Sequence, residues 1–284
     1  MSRTSRNALT LVVGGTGKTG RRVVERLRAR GVAVRVGSRS NDVPFDWDDA
    51  STWGPSLDGV DAVYLTYAPD LAVPEAPAAI TEFAALAAAG GVKRLVLLSG
   101  RGEEAAQQCE RIVLDTDPSW SVVRAGWFNQ NFHESFMRDP IRGGLLALPA
   151  GDVREPFVDC DDIADVAVAC LTESGHEGKI YEVTGPRLLS FTEAVEEIAR
   201  ATGRDIRYVR VPGETYAQAA REEGTPEGLI DLTRFLFETV LDGRNEYTTD
   251  GVQQALGRPA KDFADYARET AASGAWAASE ATSA

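Results

Sequence analysis

The residues whose types and spacing imply chemistry begin at Gly14-Gly15-Thr16-Gly17-Lys18-Thr19-Gly20. A glycine-rich turn that opens a helix presents backbone N–H groups and the positive end of the helix dipole to an anion, and phosphate is the usual guest. Three templates fit in part. The NTPase cradle G-x-x-x-x-G-K-[ST] finds its last three residues in Gly17-Lys18-Thr19, but its first glycine would be Val12, so that cradle is broken at its start. Gly15, Gly17 and Gly20 satisfy G-x-G-x-x-G, and Gly14, Gly17 and Gly20 satisfy G-x-x-G-x-x-G. Both are dinucleotide turns, and spacing does not choose between them. A tight strand-to-helix turn without a ligand is the plain alternative; the elements on either side weigh against it.

About twenty residues further on, a dinucleotide site places the group that reads the adenosine ribose, usually Asp or Glu when NAD is bound. This chain has Gly37-Ser38-Arg39-Ser40 there, with no acid before Asp42. The planar guanidinium of Arg39, with Ser38 and Ser40 beside it, suits a 2′-phosphate. The expected cofactor is therefore NADP(H), against the bland reading of Arg39 as a solvated surface residue.

Proton-handling groups are sparse. No tyrosine is followed four residues later by lysine, so the Tyr-x-x-x-Lys dyad that dehydrogenases of this layout use on alcohols and carbonyls is missing. Hydride transfer to an iminium carbon, a quinone or a conjugated alkene stays open, with the protein supplying orientation and exclusion of water. Tyr67 and His133 are the candidate proton donors. Tyr67 could instead stack on a flat substrate or pack against the cofactor, and His133 could be an unreactive loop histidine.

These residues need a scaffold. Ala8–Val13 is an apolar run suited to a buried strand, and Val23, Val24 and Leu27 recur at helical spacing among Arg and Glu. Strand and helix patterns then alternate: strands at 32–36, 61–65, 94–99, 121–124 and 180–183, a short segment at 43–46, and helices at 49–57, 74–89, 103–114 and 161–171. That alternation predicts an α/β fold, a doubly wound parallel Rossmann sheet. Residues 138–153, with several glycines and prolines, read as a loop. Past Gly185-Pro186 the patterns are mostly helical, at 191–201, 214–222 and 228–240, with one strand at 206–211. The expected division is a cofactor-binding domain at 8–186 and a smaller substrate-capping region at 187–276, with 1–7 and 277–284 as disordered tails. Ligands of open α/β sheets lie beyond the carboxyl ends of the strands. This selects Thr66, Tyr67 and Ala68, then Ser99 and Gly100, on the cofactor side. It also selects Trp127 to Phe132, where Trp127, Phe128, Asn131 and Phe132 suit an aromatic substrate pocket, with the core as an equal alternative for Phe132. Asn129 and Asn131 could bond the nicotinamide amide or cap the following helix.

Composition narrows the field. A net charge of −13 over 284 residues argues against nucleic-acid partners, which need a basic face. Three cysteines (Cys109, Cys160, Cys170) and two histidines lack metal-ligand spacing, so a reducing cytoplasm and no metal are expected. The N-terminal run Ala8–Val13 is too brief for a signal h-region, and no apolar stretch approaches the length of a membrane span. The expected partner is a small-molecule substrate; monomer and homodimer remain open.

Several segments together resemble the NmrA-like atypical short-chain dehydrogenase/reductase family: Val13-Gly14-Gly15-Thr16-Gly17, Gly59-Val60-Asp61-Ala62-Val63-Tyr64, Arg124-Ala125-Gly126-Trp127-Phe128-Asn129-Gln130-Asn131, Phe157-Val158-Asp159-Cys160-Asp161-Asp162-Ile163-Ala164 and Tyr181-Glu182-Val183-Thr184-Gly185-Pro186. Phe45-Asp46-Trp47-Asp48-Asp49 with Thr52-Trp53, and the stretch from Gly257 to Trp276, are similar to bacterial relatives of the ergot-alkaloid dehydrogenases, which reduce iminium intermediates with NADPH. The resemblance covers residues 8–276. It implies that Gly14, Thr16, Gly17, Lys18, Thr19 and Gly20 hold pyrophosphate, that Arg39 is the basic residue after strand two, and that Asp46 lies near adenine. Arg124-Ala125-Gly126 stands where the family usually has Arg-Pro-Gly. The function implied is an NADPH-dependent reductase of a flat, electron-poor molecule; the alternative within the family is a dinucleotide-binding redox sensor without turnover.

Overall fold

The structure, a computed structural model, describes residues 8–278. The expected tails 1–7 and 279–284 lie outside the described residues. Ala277, which the expected tail also included, is tied down by its carbonyl, which accepts from Arg142 Nε at 3.0 Å.

In chain order the strands are β1 (Leu9–Val13), β2 (Ala33–Gly37), β3 (Ala62–Leu65), β4 (Arg94–Gly100), β5 (Ser121–Ala125), β6 (Leu145–Leu148), β7 (Ile180–Val183) and β8 (Arg207–Arg210). The α-helices are α1 (Lys18–Ala29), α2 (Trp53–Leu57), α3 (Ala76–Ala89), α4 (Glu104–Thr116), α5 (Arg138–Gly143), α6 (Cys160–Thr172), α7 (Phe191–Thr202), α8 (Gly213–Glu222), α9 (Glu227–Phe235), α10 (Gly251–Leu256) and α11 (Phe263–Ala272). The chain forms two compact units. The first holds residues 8–125, 160–183 and 250–258; the second holds 126–159, 184–249 and 259–278. This interleaving differs from the contiguous division after residue 186. Residues 126–159 pack with the later chain, and α10 returns to the sheet unit, because folding partners are chosen by buried apolar faces rather than by sequence order.

The first unit is a six-stranded parallel sheet ordered β2-β1-β3-β4-β5-β7. Both faces are covered, so the central strands carry apolar residues toward both sides, as in the buried runs Leu11-Val12-Val13 of β1 and Ala62-Val63-Tyr64-Leu65 of β3. Leu11, Val13, Val63, Leu65, Leu95, Leu97 and Val122 face one core with Trp53, Ile80, Phe83, Cys109 and Val113 of α2, α3 and α4. On α1, Val23, Val24 and Leu27 are buried while Glu25 and Arg28 are exposed. Each such apolar side chain contributes about 1.5–3 kcal/mol by leaving water.

The second unit is built on the aromatic cluster of Phe132, Phe157, Phe191 and Phe263, with Tyr266 and Trp276 beside it. Here the sequence reading is corrected. Residues 138–153 are not a loop: α5 ends at Gly144, whose φ of +89° is the left-handed stop a helix favours, and β6 follows, paired in parallel with β8. The short segment at 43–46 forms no strand, only one bridge, Asp46 to Asp49. Pro44 has no N–H for a ladder, and the Asp46 N–H is taken by Thr52 Oγ1 at 3.0 Å. The helix expected at 49–57 is a 3-10 turn (Ala50–Thr52) followed by α2. α10 and α11 were not anticipated as helices. Cys109, Cys160 and Cys170 are buried free thiols. Among the described residues no helix is long and apolar enough to cross a membrane.

Candidate active site

The glycine turn has the geometry of a phosphate cradle. Gly14 follows β1 with φ of +67°, and its N–H donates to Gly37 O at 3.0 Å. Gly17 donates to Gly14 O at 2.9 Å and serves as N-cap of α1. A Cβ on Gly20 would lie 2.2 Å from Gly14 O and 2.9 Å from Gly15 Cα, so only glycine lets helix and turn meet there. The turn, cap and packing positions are thus Gly14, Gly17 and Gly20, with Gly15 close against Val36. No side chain bonds the cap, and the first turn of α1 holds no acid. Thr16 and Gly17 are exposed and Lys18 is half-buried. These features fit a pyrophosphate held by N–H groups. Thr19, by contrast, is buried beside Tyr64, so its side chain serves the core.

The loop after β2 is tied by Asn41, which donates from Nδ2 to Val36 O at 2.6 Å and to Ser38 Oγ at 2.9 Å. Arg39 is exposed on this loop and, among the described residues, pairs with no carboxylate. Asp46 is half-buried; its Oδ1 accepts from Asp48 N–H at 3.2 Å and its carbonyl from Trp53 Nε1 at 2.7 Å. Trp47 links this turn to the end of β3: its Nε1 donates to Thr66 O at 3.0 Å, and its ring centre is 4.8 Å from that of Tyr67. Thr66 spends its hydroxyl on Val13 O, at 3.0 Å, and Ala68 is exposed. Tyr67 is half-buried, with no hydrogen bond to its hydroxyl among the described residues. Burial first, then the Glu75 and Asp48 carboxylates, push its pKa up, so it is a weaker acid than free tyrosine.

At the end of β4, Ser99 departs from the cofactor-binding expectation. It is buried, and its hydroxyl donates to Glu110 Oε1 at 2.7 Å. Glu110 also receives Arg124 in two bonds, Nε to Oε1 at 2.8 Å and Nη2 to Oε2 at 2.5 Å. Arg124 continues to Glu182 at 3.1 Å, and Glu182 accepts from Arg101 Nε at 2.8 Å. Ser99, Arg124 and Glu182 are register partners across β4, β5 and β7, so one row of the sheet is an ionic network. The Ser99 side chain belongs to that row.

In the second unit, Trp127 and Phe128 are half-buried, Trp127 lying 4.9 Å from Phe237 between ring centres. Asn131 is half-buried, and its amide makes no hydrogen bond among the described residues. Asn129 is fully buried and its amide also finds no partner. Of the two readings of Phe132, substrate contact and core, the structure has the core: the residue is fully buried, 5.4 Å from Phe157 and 5.3 Å from Phe263 between ring centres. His133 is also occupied on both ring nitrogens. Nδ1 is 2.7 Å from Tyr266 Oη, and Nε2 is 3.1 Å from Glu134 Oε1. A histidine so engaged has no nitrogen left for a substrate proton. Trp47 and the Glu110 network escaped the sequence reading because their partners are distant in sequence and carry no fixed spacing.

A parallel sheet with a glycine cradle at the end of β1 defines a dinucleotide-binding protein of the Rossmann class. Comparison with known proteins narrows this. Residues 14–174 match the family described as NAD(P)H-binding, and residues 107–264 match the NmrA-like family. The chain belongs to the NmrA-like family of NAD(P)H-binding proteins, as the resemblance implied, and oxidoreductases are among its relatives. It is 31% identical to the NAD(P)H azoreductase of Xenophilus azovorans, over 93% of this chain and 98% of that one. It is 31% identical to the agroclavine dehydrogenase of Claviceps fusiformis, over 90% and 95%. The fold is similar to that of the NADPH-dependent quinone oxidoreductase of Escherichia coli complexed with NADPH, with a TM-score of 0.74 at 21% identity, covering 92% of this chain and 99% of that chain.

Proposed function

We propose that the protein is an NADPH-dependent reductase that delivers hydride to a flat, electron-poor small molecule, of the imine, iminium, azo or quinone type. The observation that carries this reading is the Gly14–Gly20 cradle with Arg39 exposed past the end of β2 and, among the described residues, paired with no carboxylate. A guanidinium with no protein carboxylate beside it suits a 2′-phosphate, and no acid stands there for a ribose hydroxyl. When bound, the nicotinamide supplies the hydride. The chain's own parts are then assigned as follows. Gly14, Thr16, Gly17, Lys18 and Gly20 hold the pyrophosphate. Arg39, with Ser38, takes the 2′-phosphate, and Asp46, Thr66 and Ala68 line the adenosine side. In the first unit Tyr67 is proposed as a stacking surface for the substrate; in the second unit Trp127 and Phe128 are proposed as stacking surfaces and the Asn131 amide as a polar anchor.

Two observations bear on the acceptor class. The relatives named above are an azoreductase, an agroclavine dehydrogenase and a quinone oxidoreductase. The chain lacks Tyr-x-x-x-Lys, which alcohol and ketone exchange would use. The test is oxidation of NADPH and NADH, followed by absorbance, against preformed iminium ions, quinones, azo dyes and conjugated ketones. Turnover with NADPH and at least one of these classes is expected. Tight NADPH binding without turnover on any class would overturn the reading in favour of a sensor.

A further inference from the structure

The carboxyl groups of Asp70 and Glu103 come together at the carboxyl ends of β3 and β4. Asp70 lies in the segment after β3, where its Oδ1 accepts from Ala72 N–H at 2.9 Å. Glu103 is the N-cap residue of α4, yet its side chain caps nothing. It reaches back over Gly100 instead. A Cβ on Gly100 would lie 2.5 Å from Glu103 Oε1 and 2.7 Å from Oε2, so the missing side chain of Gly100 makes the space the carboxyl occupies. Oε2 is enclosed and accepts from no N–H or hydroxyl among the described residues. Its neighbour is the Asp70 carboxyl, and two carboxyls can hydrogen-bond only if one keeps its proton. The charged groups acting on Glu103 are Asp70 from the β3 side and Glu110 from α4, both negative. Glu110 is itself held by Arg124 and Ser99. Burial, then Asp70, then Glu110, push Glu103 up to about 9, and burial raises Asp70 as well. Paired carboxyls without a cation share one proton at neutral pH.

An acceptor such as a quinone, azo compound or conjugated carbonyl needs a proton as well as hydride. Tyr67 is a weakened acid, and His133 has both nitrogens engaged. We propose that the Asp70–Glu103 pair is the proton source of the reaction, Glu103 giving its carboxyl proton to a heteroatom of the acceptor. This rests on the reductase reading above. The carboxyl O–H bond breaks, and an O–H or N–H bond forms on the acceptor, which has taken two electrons and one hydrogen as hydride. The pair is left with two negative charges and recovers a proton from water.

The experiment uses the full chain, Glu103→Gln and Asp70→Asn. Infrared spectra without NADPH read the proton directly. A protonated-carboxyl band at neutral pH that titrates near pH 9 is expected in the native chain and absent in Glu103→Gln; no difference between the two overturns the proposal. In turnover, Glu103→Gln should lower the ratio of quinone to iminium reduction about 10²-fold, with the dissociation constant for NADPH changed less than twofold. An unchanged ratio overturns it. If Glu103→Gln does not fold, Asp70→Asn decides: the alkaline limb of quinone reduction should move to lower pH by about one unit or more, and an unmoved limb overturns the proposal. A native chain that binds NADPH but reduces no acceptor fails the reductase reading itself. A native chain that turns over while both variants match it fails only the proton source.

Discussion

Gly20→Ala tests the cradle at its tightest point. The added methyl would lie 2.2 Å from Gly14 O, 2.8 Å from Gly14 C and 2.9 Å from Gly15 Cα. All three are backbone atoms, so no side chain can swing away. Normal contact is about 3.5–4 Å, so α1 must withdraw from the turn by about 1 Å or more. Overpacking of this kind costs about 1–3 kcal/mol. Alanine recovers roughly 0.8–1 kcal/mol over glycine within a helix, leaving a net loss of up to about 2 kcal/mol. The withdrawal also pulls first-turn N–H groups off the phosphates. Losing one charge-assisted bond is worth about 1.5–3 kcal/mol, or about 10- to 100-fold in affinity. Gly17→Ala is the control. It has no positive φ, and its methyl would meet only Gly14 O, at 3.2 Å, on an exposed residue. Its melting temperature should stay near native while its NADPH affinity falls, because the methyl stands where phosphate must approach. Thermal melts and NADPH fluorescence titrations on the two variants are the assay. A Gly20→Ala chain with native melting temperature and NADPH affinity would refute the reasoning.

Three further outcomes are expected. Arg39→Asp should erase or reverse the preference for NADPH over NADH, costing the NADPH complex about 1.5–3 kcal/mol; equal dissociation constants for the two cofactors in the native chain would defeat the assignment. His133→Ala should lower stability by about 1–3 kcal/mol, by removing the contacts of its ring nitrogens with Tyr266 and Glu134, and leave turnover intact; loss of turnover in a fully stable variant would restore His133 as a donor. Glu103 has its folded pKa raised, from 4.5 to about 9, so the folded state keeps a proton that the unfolded chain releases in that window. Its contribution to stability is therefore complete below about pH 4.5 and is lost as pH rises toward 9, at up to about 1.4 kcal/mol per pH unit. Denaturant melts across that range should show Glu103→Gln losing less stability with pH than the native chain, and parallel curves would contradict the shift.

How far these residues could be read in advance depended on the range of the interaction involved. The cradle was legible because its parts are consecutive: strand, glycines and helix all fall within 9–29, and each constrains the next. The parallel sheet was legible because short, mostly apolar strand patterns alternate with helical ones through the first two thirds of the chain. Errors arose where a local signal had two meanings. Gly143-Gly144 read as loop, yet Gly144 is a helix stop that turns the chain into β6. Phe132 follows the end of β5 and so suits pocket and core equally in sequence, because strand-end position says where the chain goes, not where the ring points. Its ring points into the cluster with Phe157 and Phe263, both supplied by later chain. Ser99 erred in the same way, its hydroxyl being claimed by Glu110 on the next helix.

Proton chemistry was the least legible part, and the reason is instructive. A tyrosine and lysine one helical turn apart leave a fixed spacing that can be searched for, and their absence could be established from the sequence alone. A carboxyl pair leaves none. Asp70 and Glu103 are brought together by the adjacency of β3 and β4 in the sheet and by the space above Gly100. In sequence each looks like an ordinary charge in an acidic chain, and only enclosure without a cation makes either one hold a proton. Removing the dyad therefore does not remove the capacity for acid catalysis from such a sheet. It moves that capacity to whichever strand-end groups are close together and shielded from water, and those groups differ in kind from the ones a motif would seek.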